Sequence, residues 1–534
     1  MPVLAITNFN IICSVLGGFV TLFGLVSYLF KERFYLSEAL ISLLAGVTFS
    51  PRVTNLIRPL EYAGSEANLN AITLCFSRLV LGVQLVLAGV QLPSRYLQRE
   101  WKSLAVLLGP AMTSMWVISS LIIWAVVPDL PILHALAIAA CITPTDPILS
   151  NTIVKGKFAD RNVPKPLQNI IIAESGANDG LGYPFLFLAL YLIKYNNQEN
   201  GMSTTLGLWL GETWGYTILL SAVYGAVIGW TAKGLLHWAE EKKFVDRESF
   251  LVFAIALALF IVGTCGMIGS DDVLACFVAG NTFTWDDWFR LETLDDSLQP
   301  TIDMLLNLSI FIWFGAVCPW ESFTANSVIS IYRLVLLGIL ILLLRRLPII
   351  FTLRKHIHQI EGRRQAIFMG FFGPIGVSAI FYLYVTLEFL ENITVDGVQR
   401  DDARKLGEVV KVVIWFLAIC SNVVHGLSIP VGMVGLYLPR TLSQAVEATA
   451  NDERFGPITA PVQVIFGRRR RKDLDRDAQD SLEASPSPTS PLLSRIGGSI
   501  IRDRNFGSIA SIEAGPSTPP KLSCSRIISF PDDG

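Results

Sequence analysis

Residues 131–150 read PILHALAIAACITPTDPILS, and residues 365–389 read QAIFMGFFGPIGVSAIFYLYVTLEF. Each stretch is apolar enough for a buried helix, and each breaks that helix near its middle. In the first, Pro144 and Pro147 remove backbone donors around Asp146; in the second, Gly373, Pro374 and Gly376 do the same work with glycine's added freedom. Hydrocarbon cannot satisfy the freed carbonyls, so such breaks belong against protein or a water-lined cavity. Discontinuous segments at matching places in two halves of a chain point to a binding site.

The rest of the sequence has the composition of a membrane protein. Of 534 residues, 52% are hydrophobic and 16% charged, against about 25% charged in ordinary soluble chains. Mean hydropathy is +0.51. Apolar runs near 9–30, 34–50, 69–92, 103–127, 131–150, 167–193, 206–232, 249–267, 271–284, 302–320, 327–348, 365–389 and 409–438 predict thirteen spans, or twelve if the short second or ninth does not cross. The run from Ile11 to Phe30 lacks a basic flank before it and reads as the first span rather than a cleaved leader. The expected fold class is thus all-α and polytopic.

Connections after odd-numbered spans carry 20 basic residues, including Arg345 and Arg346, and those after even-numbered spans carry 7. That bias predicts an outside N-terminus and a cytoplasmic C-terminus. The sequon Asn392-Ile393-Thr394 then falls outside. Broken spans five and twelve are the middle members of triplets that start seven spans apart, an odd offset that requires opposite orientation. An inverted repeat with two discontinuous helices follows. Residues 1–440 are the expected transmembrane domain and 441–534 a Ser/Pro-rich, largely disordered tail. The tail is an expected target for kinases or regulatory proteins, and its basic run Arg468–Lys472 has two readings, contact with anionic lipid and a solvated charge cluster that stops the last span.

Charges inside the spans carry the chemistry, since a mid-bilayer charge marks a pathway or a pair. Glu174-Ser175-Gly176-Ala177-Asn178-Asp179-Gly180 sets two acids five positions apart, about 140° around a helix. Glu174 and Asn178 share one face; Ser175 and Asp179 share the next. An acid locked to arginine stays ionised, whereas a desolvated, unpaired one can exchange a proton for a cation. Arg333, in the eleventh span, is the expected partner of Glu174, which leaves Asp179 as the carrier; the roles swap if the arginine faces Asp179. Asp146 either caps exposed amides or binds the ion, with capping the preferred reading. Thr143 and Thr145 offer hard oxygen ligands for sodium, lithium or potassium, and no residue set has transition-metal spacing. Asp271 and Asp272 suit a helix start, with the lining of an entry funnel as the alternative, Asp303 suits a helix start, Arg78 can snorkel, and His425 has local packing and pH sensing as alternatives. Lys233–Glu248 suits an amphipathic interfacial helix. The net charge of −2 gives no sign of a nucleic-acid partner, and eight scattered cysteines read as small buried hydrophobes.

The paired motifs at 143–147 and 174–180, with Gly-Pro-Ile-Gly at 373–376, resemble the monovalent cation:proton antiporter-1 family, in particular its fungal plasma-membrane sodium/proton antiporters, from about residue 10 to 438. The resemblance implies a transporter and not an enzyme: a homodimer with a six-helix core, no cofactor, and exchange of intracellular Na+, with Li+ and K+ as further candidates, for external H+. Salt tolerance and pH homeostasis are the implied roles, and the plasma membrane, ahead of an endosome, is the implied address. It implies that the two discontinuous helices cross, and it assigns ion and proton binding to Asp179, with Asn178, Thr145 and Asp146 beside it, and a structural pair to Glu174 and Arg333; Ser175, on the Asp179 side of its helix, is read as a further oxygen ligand. The sequence departs from family patterns at Gln84, where archaeal relatives carry an acid, and at Val377-Ser378, where animal exchangers carry an arginine. A cation channel and an organic-solute transporter are the competing readings.

Overall fold

Long apolar runs with few internal breakers fold as long helices, and capping residues set several of their starts. The computed structural model describes residues 7–30, 36–147, 149–150, 163–195, 199–452, 495–496 and 499–500. In chain order the principal helices are α1 (Asn8–Tyr28), α2 (Glu38–Phe49), α3 (Glu66–Gln91), α4 (Trp101–Val126), α5 (Ile132–Ile142), α6 (Lys165–Gly180), α7 (Tyr183–Tyr195) and α8 (Gly201–Glu241). They continue with α9 (Arg247–Ile268), α10 (Asp272–Phe283), α11 (Leu298–Val317), α12 (Ile331–Leu344), α13 (Arg363–Phe371), α14 (Val377–Glu391) and α15 (Asp401–Asp452). Ser65 caps α3 through Asn68 N, Asp246 caps α9 through Ser249 N, and Asp271 caps α10 through Val273 N and Leu274 N.

The fold is an all-α polytopic membrane fold, but the expectation of thirteen full-length spans is corrected. Among the described residues eight helices are long and apolar enough to cross a membrane, while α2, α5 and α10 are apolar but shorter. The reason is interruption. The fifth expected span stops at Ile142, the sixth divides at Leu181-Gly182 into α6 and α7, and the twelfth divides at Phe372–Gly376 into α13 and α14. A helix of α5's 11 residues rises only about 16 Å, roughly half the hydrocarbon thickness.

One contiguous apolar core joins α3, α5, α6, α10, α14 and α15 through buried Leu81, Ala139, Ile170, Phe277, Ile380 and Trp415. Glycine lets α3 and α10 touch backbone to backbone: a Cβ on Gly89 would stand 2.7 Å from the carbonyl oxygen of Phe277. A smaller cluster of Ile57, Ile312 and Ala316 packs against side chains of α1 and α2. After α14, Thr394–Val395 and Val398–Gln399 pair antiparallel around an Asp396-Gly397 turn with positive φ at both residues.

Lys233–Glu241 is a continuous extension of α8, not a separate interfacial helix, and Lys233 Nζ bonds Asp286 Oδ2 at 3.0 Å. Helix α15 runs past residue 440 to Asp452, and the chain divides into compact units Met1–Phe455 and Gly456–Gly534. In the second unit the described residues are one antiparallel pair, Arg495–Ile496 with Ser499–Ile500. The basic run 468–472, the Ser-Pro repeats at 485–488 and the loop lysines Lys31, Lys155 and Lys157 lie outside the described residues.

Candidate ion site at the crossing of two broken helices

Helix α5 ends because Pro144 supplies no amide hydrogen and Thr143 turns back on its own helix, its hydroxyl donating to Ala139 O at 2.8 Å. Helix α13 ends at Phe371, and residues 372–376 run without helix until α14 starts at Val377. The two breaks touch. Asp146 N donates to Pro374 O at 3.0 Å, and Val377 N donates to Asp146 Oδ2 at 2.6 Å. Asp146 thus caps the N-terminus of the opposite half-helix, α14, where its charge meets the positive end of the helix dipole. Gly376 is required there, because Asp146 Oδ2 lies against the position its Cβ would take.

Replacing Gly376 by alanine is therefore expected to destabilise the protein by about 2–4 kcal/mol, from overpacking and a lost cap together. Thermal unfolding of the purified protein checks this against Gly17→Ala, at a position with open space around it. Equal melting temperatures would contradict the crossing geometry.

Two adjacent arginines after α12 hold the crossing together. Arg345, 2% exposed, donates to the carbonyls of Ile142, Pro144 and Gly373, so it closes exposed carbonyls of both breaks. Arg346, 3% exposed, donates through Nε to Met369 O at 3.0 Å. Its Nη1 and Nη2 grip Glu174 Oε1 and Oε2 at 2.5 and 2.7 Å, a bidentate buried pair. This corrects the expected Glu174–Arg333 pair. Arg333 lies at the opposite end of α12 and reaches Val126 O at 3.4 Å. In the sequence Arg345 and Arg346 look like loop charges that end a span, and only the fold brings Glu174 to them.

On α6 the remaining polar side chains turn toward the first break. Thr145 N donates to Asn178 Oδ1 at 3.1 Å and Asn178 Nδ2 donates to Thr145 Oγ1 at 2.8 Å. Thr145 Oγ1 lies 3.2 Å from Ser175 Oγ, which donates in turn to Ser150 Oγ at 3.3 Å. Thr145, Ser175 and Asn178 are therefore brought together, with Ser150 added, whereas the Thr143 hydroxyl stays with its own helix. Asp179 is different. It is 1% exposed, and neither carboxylate oxygen has a hydrogen-bond partner among the described residues. Tyr382 OH, from α14, donates to the backbone carbonyl of Asp179 and lies 3.3 Å from that of Gly180.

Charges set aside as helix-start acids form a second buried layer. Arg78 does not snorkel; its Nε donates to Asp272 Oδ2 at 2.6 Å across α3 and α10. Asp271 caps α10 with one oxygen and among the described residues has no hydrogen-bond partner for Oδ2, which lies beside Gly180. Gln84 Nε2 donates to Asp303 Oδ1 at 2.9 Å and Asn307 Oδ1 at 2.6 Å, so it is tied to α11. His425 packs under the second break, its ring nitrogens 2.8 Å from Ser421 O and 3.1 Å from Phe371 O. Ser421 Oγ accepts from Ile375 N at 2.7 Å. Among the described residues no three His, Cys, Asp or Glu side chains converge as a metal site. Carboxylate, hydroxyl and amide oxygens at the crossing instead suit a hard monovalent cation.

Comparison with known proteins agrees with this architecture. The family profile described as "Sodium/hydrogen exchanger, transmembrane" matches residues 18–434. A probable Na+/H+ antiporter of Schizosaccharomyces pombe is 40% identical over 436 residues, which cover 79% of this chain and 56% of that one. The Na+/H+ antiporter of Saccharomyces cerevisiae is 37% identical over 82% of this chain and 44% of its own. The chain therefore spans about half the length of these two relatives. A second Na+/H+ antiporter of Schizosaccharomyces pombe is 30% identical over 81% of this chain and 92% of its own length. The fold is similar to the sodium proton antiporter MjNhaP1 of Methanocaldococcus jannaschii, with a TM-score of 0.56 and 18% identity over 79% of this chain and 100% of that one. With its membrane portion matched throughout and one relative matched over nearly its whole length, the chain belongs to the sodium/hydrogen exchanger family, within the monovalent cation:proton antiporter-1 group that includes the fungal Na+/H+ antiporters.

Proposed function

We propose that this protein is a secondary active antiporter that exchanges a cytoplasmic monovalent cation, Na+ or Li+ foremost and K+ as a further candidate, for an external proton. The observation that carries the reading is the contrast between two acids on one helix. Glu174 is locked in a bidentate arginine pair, while Asp179, just over a turn away, is buried with no hydrogen-bond partner for either oxygen among the described residues. A buried carboxylate of that kind must be neutralised, by a proton or by a cation. Competition for one carboxylate couples the two fluxes without both ions being bound at once. Thr145, Ser175 and Asn178 shape the wall of the site, and Asp146 with Arg345 keeps the two breaks crossed.

The finer architecture belongs to the same proposal. An inverted repeat with an outside N-terminus and an inside C-terminus is supported by the odd spacing of the two breaks and by the basic-residue bias. Burial of Arg345 and Arg346 removes two basic residues from that count without changing its sign. Homodimer assembly and a plasma-membrane address are supported by membership of the family.

The test is cation-driven proton movement in proteoliposomes carrying the purified protein, with Na+, Li+ and K+ added separately. Proton efflux that depends on the cation gradient and persists with the membrane potential clamped supports antiport. Cation flux indifferent to pH would mean a channel, and no flux from folded protein would end the proposal.

A further inference from the structure

The oxygens around the crossing fall into two groups. Those of Thr145, Ser175 and Asn178 are committed to one another by hydrogen bonds of 2.8–3.2 Å. Those of Asp179 are not, and neither is Ser378 Oγ, a hydroxyl 1% exposed that faces the Asp179 carboxylate but makes no hydrogen bond of good geometry among the described residues. A buried hydroxyl without a good hydrogen bond is costly enough that it calls for an explanation. Ser378 is the second residue of α14, beside the capped amide of Val377, and its side chain faces the Asp179 carboxylate. The helix geometry agrees independently. Tyr382, four residues on and on the same face of α14, reaches the backbone carbonyl of Asp179.

Building on the antiport reading above, we propose that Ser378 completes the cation site from the second broken helix, contributing its hydroxyl oxygen as a direct ligand to the Na+ or Li+ held by Asp179. A serine hydroxyl suits every state of such a site. It ligates a hard cation through a lone pair, donates to an ionised carboxylate, and accepts from a protonated one. The ligand thus comes from the half-helix that Asp146 caps, so cation binding draws on both breaks at once. Smaller cations gain more from an added short oxygen contact, which makes Ser378 a determinant of selectivity among Na+, Li+ and K+.

The experiment compares wild type, Ser378→Ala, Ser378→Thr and Asp179→Asn in the same proteoliposomes, with thermal unfolding of each purified protein in NaCl, LiCl, KCl and choline chloride. Ser378→Ala is expected to raise the KM for Na+ and Li+ about ten- to a hundredfold, the range of a hydrogen bond to a charged group, with a smaller change for K+. Its Vmax stays near wild type, and Ser378→Thr restores most of the affinity. Since Ser378 Oγ makes no hydrogen bond of good geometry among the described residues and interacts with the Asp179 carboxylate, the melting temperature of Ser378→Ala in choline stays near that of wild type, while the extra stabilisation by Na+ or Li+ shrinks. Wild-type exchange with an unchanged KM in Ser378→Ala overturns this inference and leaves the antiport reading standing. Equal loss of Vmax for all three ions with a lowered melting temperature also overturns it, because the residue would then be structural. Absence of exchange in wild type would remove the antiport reading and this inference with it.

Discussion

Asp179→Asn is expected to reduce cation-driven proton movement to the level of empty vesicles while leaving folded protein in normal yield. The substitution is nearly isosteric and costs no hydrogen bond of good geometry from the carboxylate, because among the described residues neither oxygen of Asp179 has such a partner to lose. What it removes is the charge that attracts a cation and the group proposed to trade that cation for a proton, the Asp146 carboxylate being engaged with Val377 N. Asparagine neither titrates nor neutralises a buried cation, so the substitution acts on coupling itself and not on the scaffold. Size-exclusion behaviour and melting temperature near wild type, with exchange abolished, are the expected pair of results. Retained, pH-dependent exchange would move the carrier to another acid, and Asp271, with its own unpartnered Oδ2 beside Gly180, is where the search would turn.

The same competition fixes the sign of the pH dependence in wild type. Protons and cations contend for one carboxylate, so acidifying the cation-loading side must raise the apparent KM for Na+, approaching about tenfold per pH unit once protonation dominates. Acidifying the opposite side accelerates cation release there and drives export. A pH change that altered Vmax alone, with KM constant on the loading side, would argue against a shared site.

Much of this arrangement was legible in the sequence because its signals are local. Proline and glycine mark the two breaks wherever the chain goes, and the spacing of Glu174, Ser175, Asn178 and Asp179 sets their faces on any helix. The preference for Asp146 as a cap agrees in kind with its bond to Val377 N, although the capped helix is the opposite one. Long-range partnership was not legible. Arg333 and Arg346 both flank the apolar stretch of α12, and periodicity gives no means of choosing which end meets α6. Arg346 also carried a misleading signal, since a basic pair after an apolar run ordinarily stops a span at the membrane surface. Gly370 and Gly373 held the available clue. Gly370 accommodates the backbone of Leu347, and a Cβ on Gly373 would collide with the Arg346 side chain, so small residues in the second break make room for the guanidinium. Arg78 was missed for a similar reason, because its partner Asp272 lies 194 residues away.

The Glu174–Arg346 pair gives the largest expected loss of stability. Removing one member of a buried ion pair leaves the other uncompensated, at a cost of about 3–5 kcal/mol. The two sides are not equivalent. Arg346→Met leaves a buried carboxylate with the Arg345 guanidinium still in the neighbourhood, whereas Glu174→Gln leaves two adjacent buried guanidinium groups and no acid paired with Arg346. Glu174→Gln should therefore unfold at the lower temperature and give the lower yield of folded protein. The double variant Glu174→Gln/Arg346→Met, which removes both charges together, should recover most of the loss, though not the Arg346 Nε bond to Met369 O. Arg333→Met is the discriminating control. Its guanidinium makes one long contact, to Val126 O, and its loss should change stability by no more than about 0.5 kcal/mol. If Arg333→Met were the damaging variant and Arg346→Met harmless, the arginine partner of Glu174 would be at the wrong end of α12. The division of labour between a locked acid and an exchanging one would then have to be rebuilt.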